Sequence, residues 1–210
     1  MIPAKADVAA QAQFLETKLR PRLDQAERGR RTVLFVDAAH FVYGPFLGFL
    51  WCLTRRFVPA PSGRKRYNVL AALDAVTHRV IRVTNDSYIN AESVCQLLRR
   101  VAAAGLPRPI TLVLDNARYQ RCELVQSLAR CLKIELLFLP SYSPNLNLIE
   151  RLWKFVKKEC LASKYLATYE GFAAAIANCL SDLHTIHKPK VDTLLTLNFQ
   201  TFEDEPIITA

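Results

Sequence analysis

Three acids of this 210-residue chain stand where a carboxylate is costly or out of keeping with its neighbours. Asp37 closes the apolar run TVLFVD, Asp115 closes ITLVLD, and Glu150 lies in NLIERLWKFVKK among Arg151, Lys154, Lys157 and Lys158. An ionised carboxylate at the edge of a buried strand loses hydration and needs cations, hydrogen bonds or metal to offset the loss. Carboxylates on neighbouring strands and on a helix crossing them can converge on two hard cations, which take oxygen ligands and retain waters for substrate. Such ions lie about 3.5–4 Å apart and stabilise the attacking and leaving oxygens of an in-line displacement at phosphorus. The bases around Glu150 would then cradle phosphates.

Each acid also has a local explanation. An Asp at a strand end commonly starts a turn, and Asp115, followed by Asn116 and a helical run, suits an N-cap. If Asn147 caps the next helix, Glu150 is the third residue of a capping box, with Lys154 at the i+4 spacing of an ion pair. On a helical wheel Glu150 shares the arc of Arg151, Lys154, Lys157 and Lys158, away from Leu146, Ile149, Trp153 and Val156. Trp153 and Phe155 read as core anchors.

The elements that would position these residues follow from periodicity. Residues 5–28 read as a polar helix interrupted by Pro21, forming an appendage or linker over 1–30. Short β-rich runs follow at 32–37, 46–53, 67–74 and 79–84, with PSGRKR at 61–66 supplying a turn. Three or four consecutive strands imply an antiparallel meander. The chain then alternates: a helix from 91 ended by Gly105, a strand at 110–115, a helix over 118–132, a strand at 134–140, a helix over 145–160 and one more beyond. Strands first and alternation second predicts an α/β fold with a mixed sheet flanked by helices over 31–190. The tail, 191–210, ends in an acidic stretch expected to be loosely held.

A strand ending in Asp37, a strand ending in LDNAR at Asp115, and the loop PSYSPNLNLIERLW leading to Glu150 together resemble the DDE transposases of the mariner-like and bacterial insertion-sequence superfamily. The 34 residues between Asp115 and Glu150 match the spacing of that group. The resemblance spans about residues 31–190, and SYSPNLNLIE is its most specific part. It implies an RNase H-like fold with a five-stranded sheet, and Asp37, Asp115 and Glu150 binding two Mg²⁺ or Mn²⁺ ions. It implies endonuclease chemistry followed by strand joining: water attacks a phosphodiester at the element's ends, and the freed 3′-hydroxyl attacks target DNA at a TA dinucleotide. It implies a homodimer, since two ends are processed together. The chain departs from the pattern at Ala38, where many relatives have a second acid, and at Leu148, where many have Pro. Relatives also carry amino-terminal helix-turn-helix domains. Here about 30 residues precede the first strand, so a separate helix-turn-helix polypeptide or domain is an expected partner, and a truncated copy is the alternative.

Composition agrees with a nucleic-acid partner. The formal charge is +9, and Lys and Arg gain affinity for DNA by displacing counterions. Arg64, Lys65 and Arg66, in the run RRFVPAPSGRKRYN, are candidate phosphate contacts or a solvated hairpin tip, and Arg118 joins the candidates beside Asp115. His40 either lies near the metals or is satisfied locally, and Asn116 either orients a metal-bound water or caps a helix. The six cysteines contain no CxxC pair and read as small core residues, without zinc or a disulfide framework. No stretch approaches a membrane span, so a cytoplasmic, nucleoid-associated protein is expected. Two rival functions remain: a plain metal-dependent nuclease, and a non-catalytic DNA-binding or dimerising fragment that regulates transposition.

Overall fold

A five-stranded mixed sheet forms the centre of the computed structural model, which describes residues 7–44, 53–54, 57 and 65–201. The strands are β1 (Thr32–Val42), β2 (Arg66–Asp74), β3 (Val80–Asn85), β4 (Ile110–Leu114) and β5 (Ile134–Phe138), in spatial order β3-β2-β1-β4-β5. β1, β2 and β3 pair antiparallel, from Leu34 opposite Asp74 to Val42 opposite Arg66 on the first ladder. β4 and β5 run parallel to β1, with Phe35 beside Val113 and Val113 beside Leu137. A meander followed by parallel crossovers is the order that the sequence predicts. The predicted run at 46–53, apart from its last residue, and most of the turn at 61–66, Arg64 included, lie outside the described residues.

Alternate residues of β1 enter different layers, because side chains on a strand point to opposite faces. Val33, Phe35, Ala39 and Phe41 join one apolar cluster, and Leu34 and Val36 join the other. The second layer is built from α3 (Ala91–Ala103) and α4 (Glu123–Cys131). In α3, Val94, Leu97, Leu98 and Val101 form a buried stripe at helical spacing. Asn90 and Ser93 close a capping box at its start. Gly105, at φ +67, follows its end in the left-handed conformation.

The first layer holds α5 (Ile149–Val156), α6 (Tyr169–Ser181), α7 (Lys188–Leu194) and the amino-terminal helix. That helix corrects the appendage reading. It runs as α1 (Val8–Phe14), a π-helical turn (Leu15–Leu19) and α2 (Arg20–Glu27), with Pro21 tolerated in the first turn of α2. Phe14, Leu15, Leu19 and Leu23 are buried in the common core. Arg22 and Arg31 both pair with Glu135 of β5.

Three other expectations change. α4 starts at Glu123 rather than 118, because residues 115–122 are taken up by turns beside the sheet edge. The tail is held as far as residue 200, since Leu195 and Phe199 are buried. Cys160 and Cys179 form a disulfide between the end of the α5 segment and α6, a pairing that a 19-residue separation without a motif does not announce.

Candidate active site

Asp37 and Asp115 each stand two residues beyond the paired Phe35 and Val113, so parallel pairing of β1 and β4 sets the two acids side by side. Asp115 lies just past the last residue of β4, and its Oδ1 accepts from the Ala117 backbone N–H at 3.2 Å. That bond closes a local turn and does not cap α4, whose N-cap is Cys122.

Glu150 reaches the same place through a tied loop, residues 139–148. Leu139 N–H extends the ladder onto Leu114 carbonyl oxygen at 2.8 Å. Asn116 Nδ2 donates to Leu139 carbonyl oxygen at 2.5 Å, while Arg121 donates to Asn116 Oδ1. Gln11 of α1, 2% exposed, donates to Tyr142 carbonyl oxygen at 3.2 Å and accepts from Asn145 Nδ2 at 3.0 Å. Asn145 Nδ2 also donates to Gln200 carbonyl oxygen at 2.9 Å. Asn147 Nδ2 turns inward to Val36 carbonyl oxygen at 3.4 Å. The capping box therefore does not form: the residue preceding α5 is Leu148, and no side chain caps the helix.

The result is one cleft of about 410 Å³ lined by Asp37, Asp115, Asn116, Ser143, Asn147 and Glu150 among others. Burial raises the Asp37 carboxyl to about 7, outweighing the Ala38 backbone N–H that lowers it, while the charges of Glu150 and Asp115 push it further up. Burial likewise raises Tyr119, and Asp115 and Asp37 add to the rise, so the negative field of the cleft extends to its neighbours. Among the described residues no Lys or Arg forms an ion pair with any of the three acids. Nor do three His, Cys, Asp or Glu side chains gather closely enough there to enclose a single ion. Hard oxygen donors lining one cleft, with no paired cation among the described residues, suit divalent ions that each take few protein ligands and fill the rest of their shell with water or phosphate oxygens.

The remaining candidates separate by geometry. His40 lies on the face of β1 opposite Asp37 and is bonded through Nδ1 to Asn68 Oδ1 at 2.7 Å, so it serves the sheet and not the cleft. Asn116 lines the cleft as the tie between β4 and the loop, which replaces the helix-capping reading. Arg151 differs from the other bases of its stripe: its guanidinium donates to the carbonyls of Thr196 at 2.8 Å and Asn198 at 2.5 Å, and lies over the Phe199 ring. It fastens the tail and is spent there. Arg118, Lys154, Lys157 and Lys158 are exposed. Lys65, over the Tyr169 ring, and Arg66 border a separate hollow with Tyr88 and Asp86 at the start of β2. Sequence reasoning missed Gln11, since nothing in a polar helical segment signals a contact 131 residues away.

Residues 53–172 match the family model described as DDE superfamily endonuclease. The chain is 30% identical over 125 residues to the insertion element IS630 uncharacterized 39 kDa protein of Shigella sonnei, covering 58% of this chain and 36% of that protein. It thus spans about a third of the length of that curated relative. The Mos1 transposase, solved as a paired-end complex with the left transposon end, superposes with TM-score 0.58 at 14% identity, over 95% of this chain and 66% of Mos1. The Mos1 catalytic domain solved with raltegravir and Mg superposes with TM-score 0.56 at 13% identity, over 88% of this chain and 94% of that one. At such identities these likenesses show the fold, an RNase H-like mixed sheet flanked by helices. No helix among the described residues is long and apolar enough to cross a membrane.

Proposed function

The chain belongs to the DDE superfamily endonuclease family, and from that premise we propose that it is a transposase catalytic domain that cuts DNA and joins the freed 3′ end to a target. One observation carries the reading: carboxylates from β1, the end of β4 and α5 share a single cleft, and among the described residues no Lys or Arg pairs with them. Asp37, Asp115 and Glu150 would hold two Mg²⁺ or Mn²⁺ ions. When bound, such ions stabilise the charge that develops on both oxygens during displacement at phosphorus. The chain's own part is to fix these carboxylates, shape the cleft and present Lys154, Lys157 and Lys158 to the DNA backbone. Water is the first nucleophile and the liberated 3′-hydroxyl the second, with a TA dinucleotide as target. The working form is a homodimer that pairs two element ends and relies on a separate helix-turn-helix polypeptide or domain to read them. Solution in complex with a transposon end and with Mn or Mg, as for Mos1, supports the DNA and metal parts by analogy of fold.

Nicking of supercoiled plasmid in Mn²⁺ tests the reading, with Asp37→Ala, Asp115→Ala and Glu150→Ala variants of verified fold alongside. Activity lost in all three supports a shared site; equal activity in the variants overturns it. A pre-cut end that is hydrolysed but never joined to a second duplex would reduce the function to that of a nuclease.

A further inference from the structure

Trp153 is 3% exposed, and its indole N–H donates to Asp37 Oδ2 at 2.9 Å. It sits one helical turn beyond Glu150 on α5, so the helix that supplies the third carboxylate also grips the first. The indole also packs on β1, where the Phe41 ring meets it edge-on at 6.1 Å and 79°, four residues along the same face of the strand as Asp37. A second tie runs parallel to the first. Asn147, 4% exposed, donates to the carbonyl of Val36, the residue before Asp37.

The geometry points to Trp153 as a positioning residue that fixes the plane of the Asp37 carboxylate toward the cleft, with Asn147 holding the backbone beneath it. Fixing Oδ2 removes the carboxylate's rotation about its last bond, so its orientation relative to Glu150 is set before any cation or DNA arrives. Hydrogen-bond partners that orient a metal ligand typically govern affinity by 10–100-fold. The bland alternative is a core tryptophan whose N–H found the nearest acceptor. The two differ in what an indole without its N–H would do. Packing would be unchanged, and only the hold on Asp37 would be lost.

The inference rests on the cleft's reading as a cation site. Its test is Mn²⁺ binding by the full chain, followed through the electron paramagnetic resonance signal of free Mn²⁺, without DNA. Trp153 is replaced by β-(3-benzothienyl)alanine, in which sulfur stands where the N–H was, and in parallel by Trp153→Phe. Phe41→Leu serves as a packing control, since it loosens the same indole and leaves its donor in place. The expected result is Mn²⁺ affinity about 10-fold or more weaker in both position-153 variants, and within about 2-fold of wild type in Phe41→Leu. Equal affinity in wild type and the benzothienyl protein overturns the positioning role and leaves the cation site standing. Equal weakening by Phe41→Leu also overturns it, because packing then explains the effect. Wild type that binds no Mn²⁺ overturns both this inference and the cation reading it rests on.

Discussion

At the scale of single residues, the site is a concentration of like charge that meets no paired Lys or Arg among the described residues. Asp37 loses hydration by burial and faces Glu150 and Asp115, so its ionised form is a cost to the folded chain. In chelator, Asp37→Asn should stabilise the protein by about 1–3 kcal/mol, seen as a raised melting temperature in differential scanning fluorimetry. In millimolar Mg²⁺ the order should reverse, because only wild type gains by binding the ion. A variant destabilised in both conditions would show that the Asp37 carboxylate is needed for structure. The three acids were legible in the sequence because each contradicts its surroundings: two end apolar strands and one stands in a basic stripe. The residues that hold them were not. Gln11 and Asn147 sit in unremarkable polar or loop contexts, and their partners, Tyr142 and Val36, are close only through the fold. Trp153 is legible as a core anchor, while its donor function depends on an acceptor on a strand.

At the scale of elements, the amino-terminal helix does more than its polar composition suggests. Its buried face carries Phe14, Leu15, Leu19 and Leu23, and Leu19→Ala should cost about 2–5 kcal/mol in a denaturant titration. One turn earlier, Gln11 braces the loop that delivers Glu150. Gln11→Ala should therefore lower nicking about tenfold with a much smaller loss of stability, since misplacement of reacting groups is costly even from a distance. The helix is anchored to β5 by Arg22 on Glu135, whose carboxyl that bond holds down to about 2, with Thr111 and Arg31 adding to the effect. The folded value lies below the unfolded one, so this contribution is complete above about pH 4.5 and drains away as pH falls toward 2. Glu135→Gln should flatten the acid limb of the stability curve in that window. At neutral pH it should cost only about 1 kcal/mol, because the side chain is 36% exposed and screened. Elements with strong period were legible: β4 is buried throughout because both faces are covered, and α3 carries its cap and its Gly105. Boundaries failed where tertiary ties compete with local caps. Asp115 turns onto Ala117 and delays α4, and Asn147 leaves the α5 terminus for Val36.

At the scale of the whole molecule, the +9 charge states a class of partner but not the surface that meets it. The helical wheel grouped Arg151 with Lys154, Lys157 and Lys158, since periodicity reports a face and not what lies against it. In the fold these four part company. Arg151 is bonded to the carbonyls of the tail, and burial lowers its pKa, whereas the three lysines stand exposed on the segment that carries Glu150. The difference has a measurable form. Each phosphate neutralised by a mobile cation contributes about −0.9 to the slope of log affinity against log salt on duplex DNA. Lys154→Ala, Lys157→Ala and Lys158→Ala combined should thus make the slope shallower by about 2–3 and weaken binding at low salt. Arg151→Ala removes one charge of the same sign from the same helix and should leave the slope nearly unchanged. Its effect should appear instead as faster hydrogen exchange over residues 195–200, the stretch that Arg151 fastens. A slope lowered equally by Arg151→Ala and by any single lysine variant would mean that DNA binding feels only total charge. The lysine face of α5 would then have no special claim on the strand that enters the cleft.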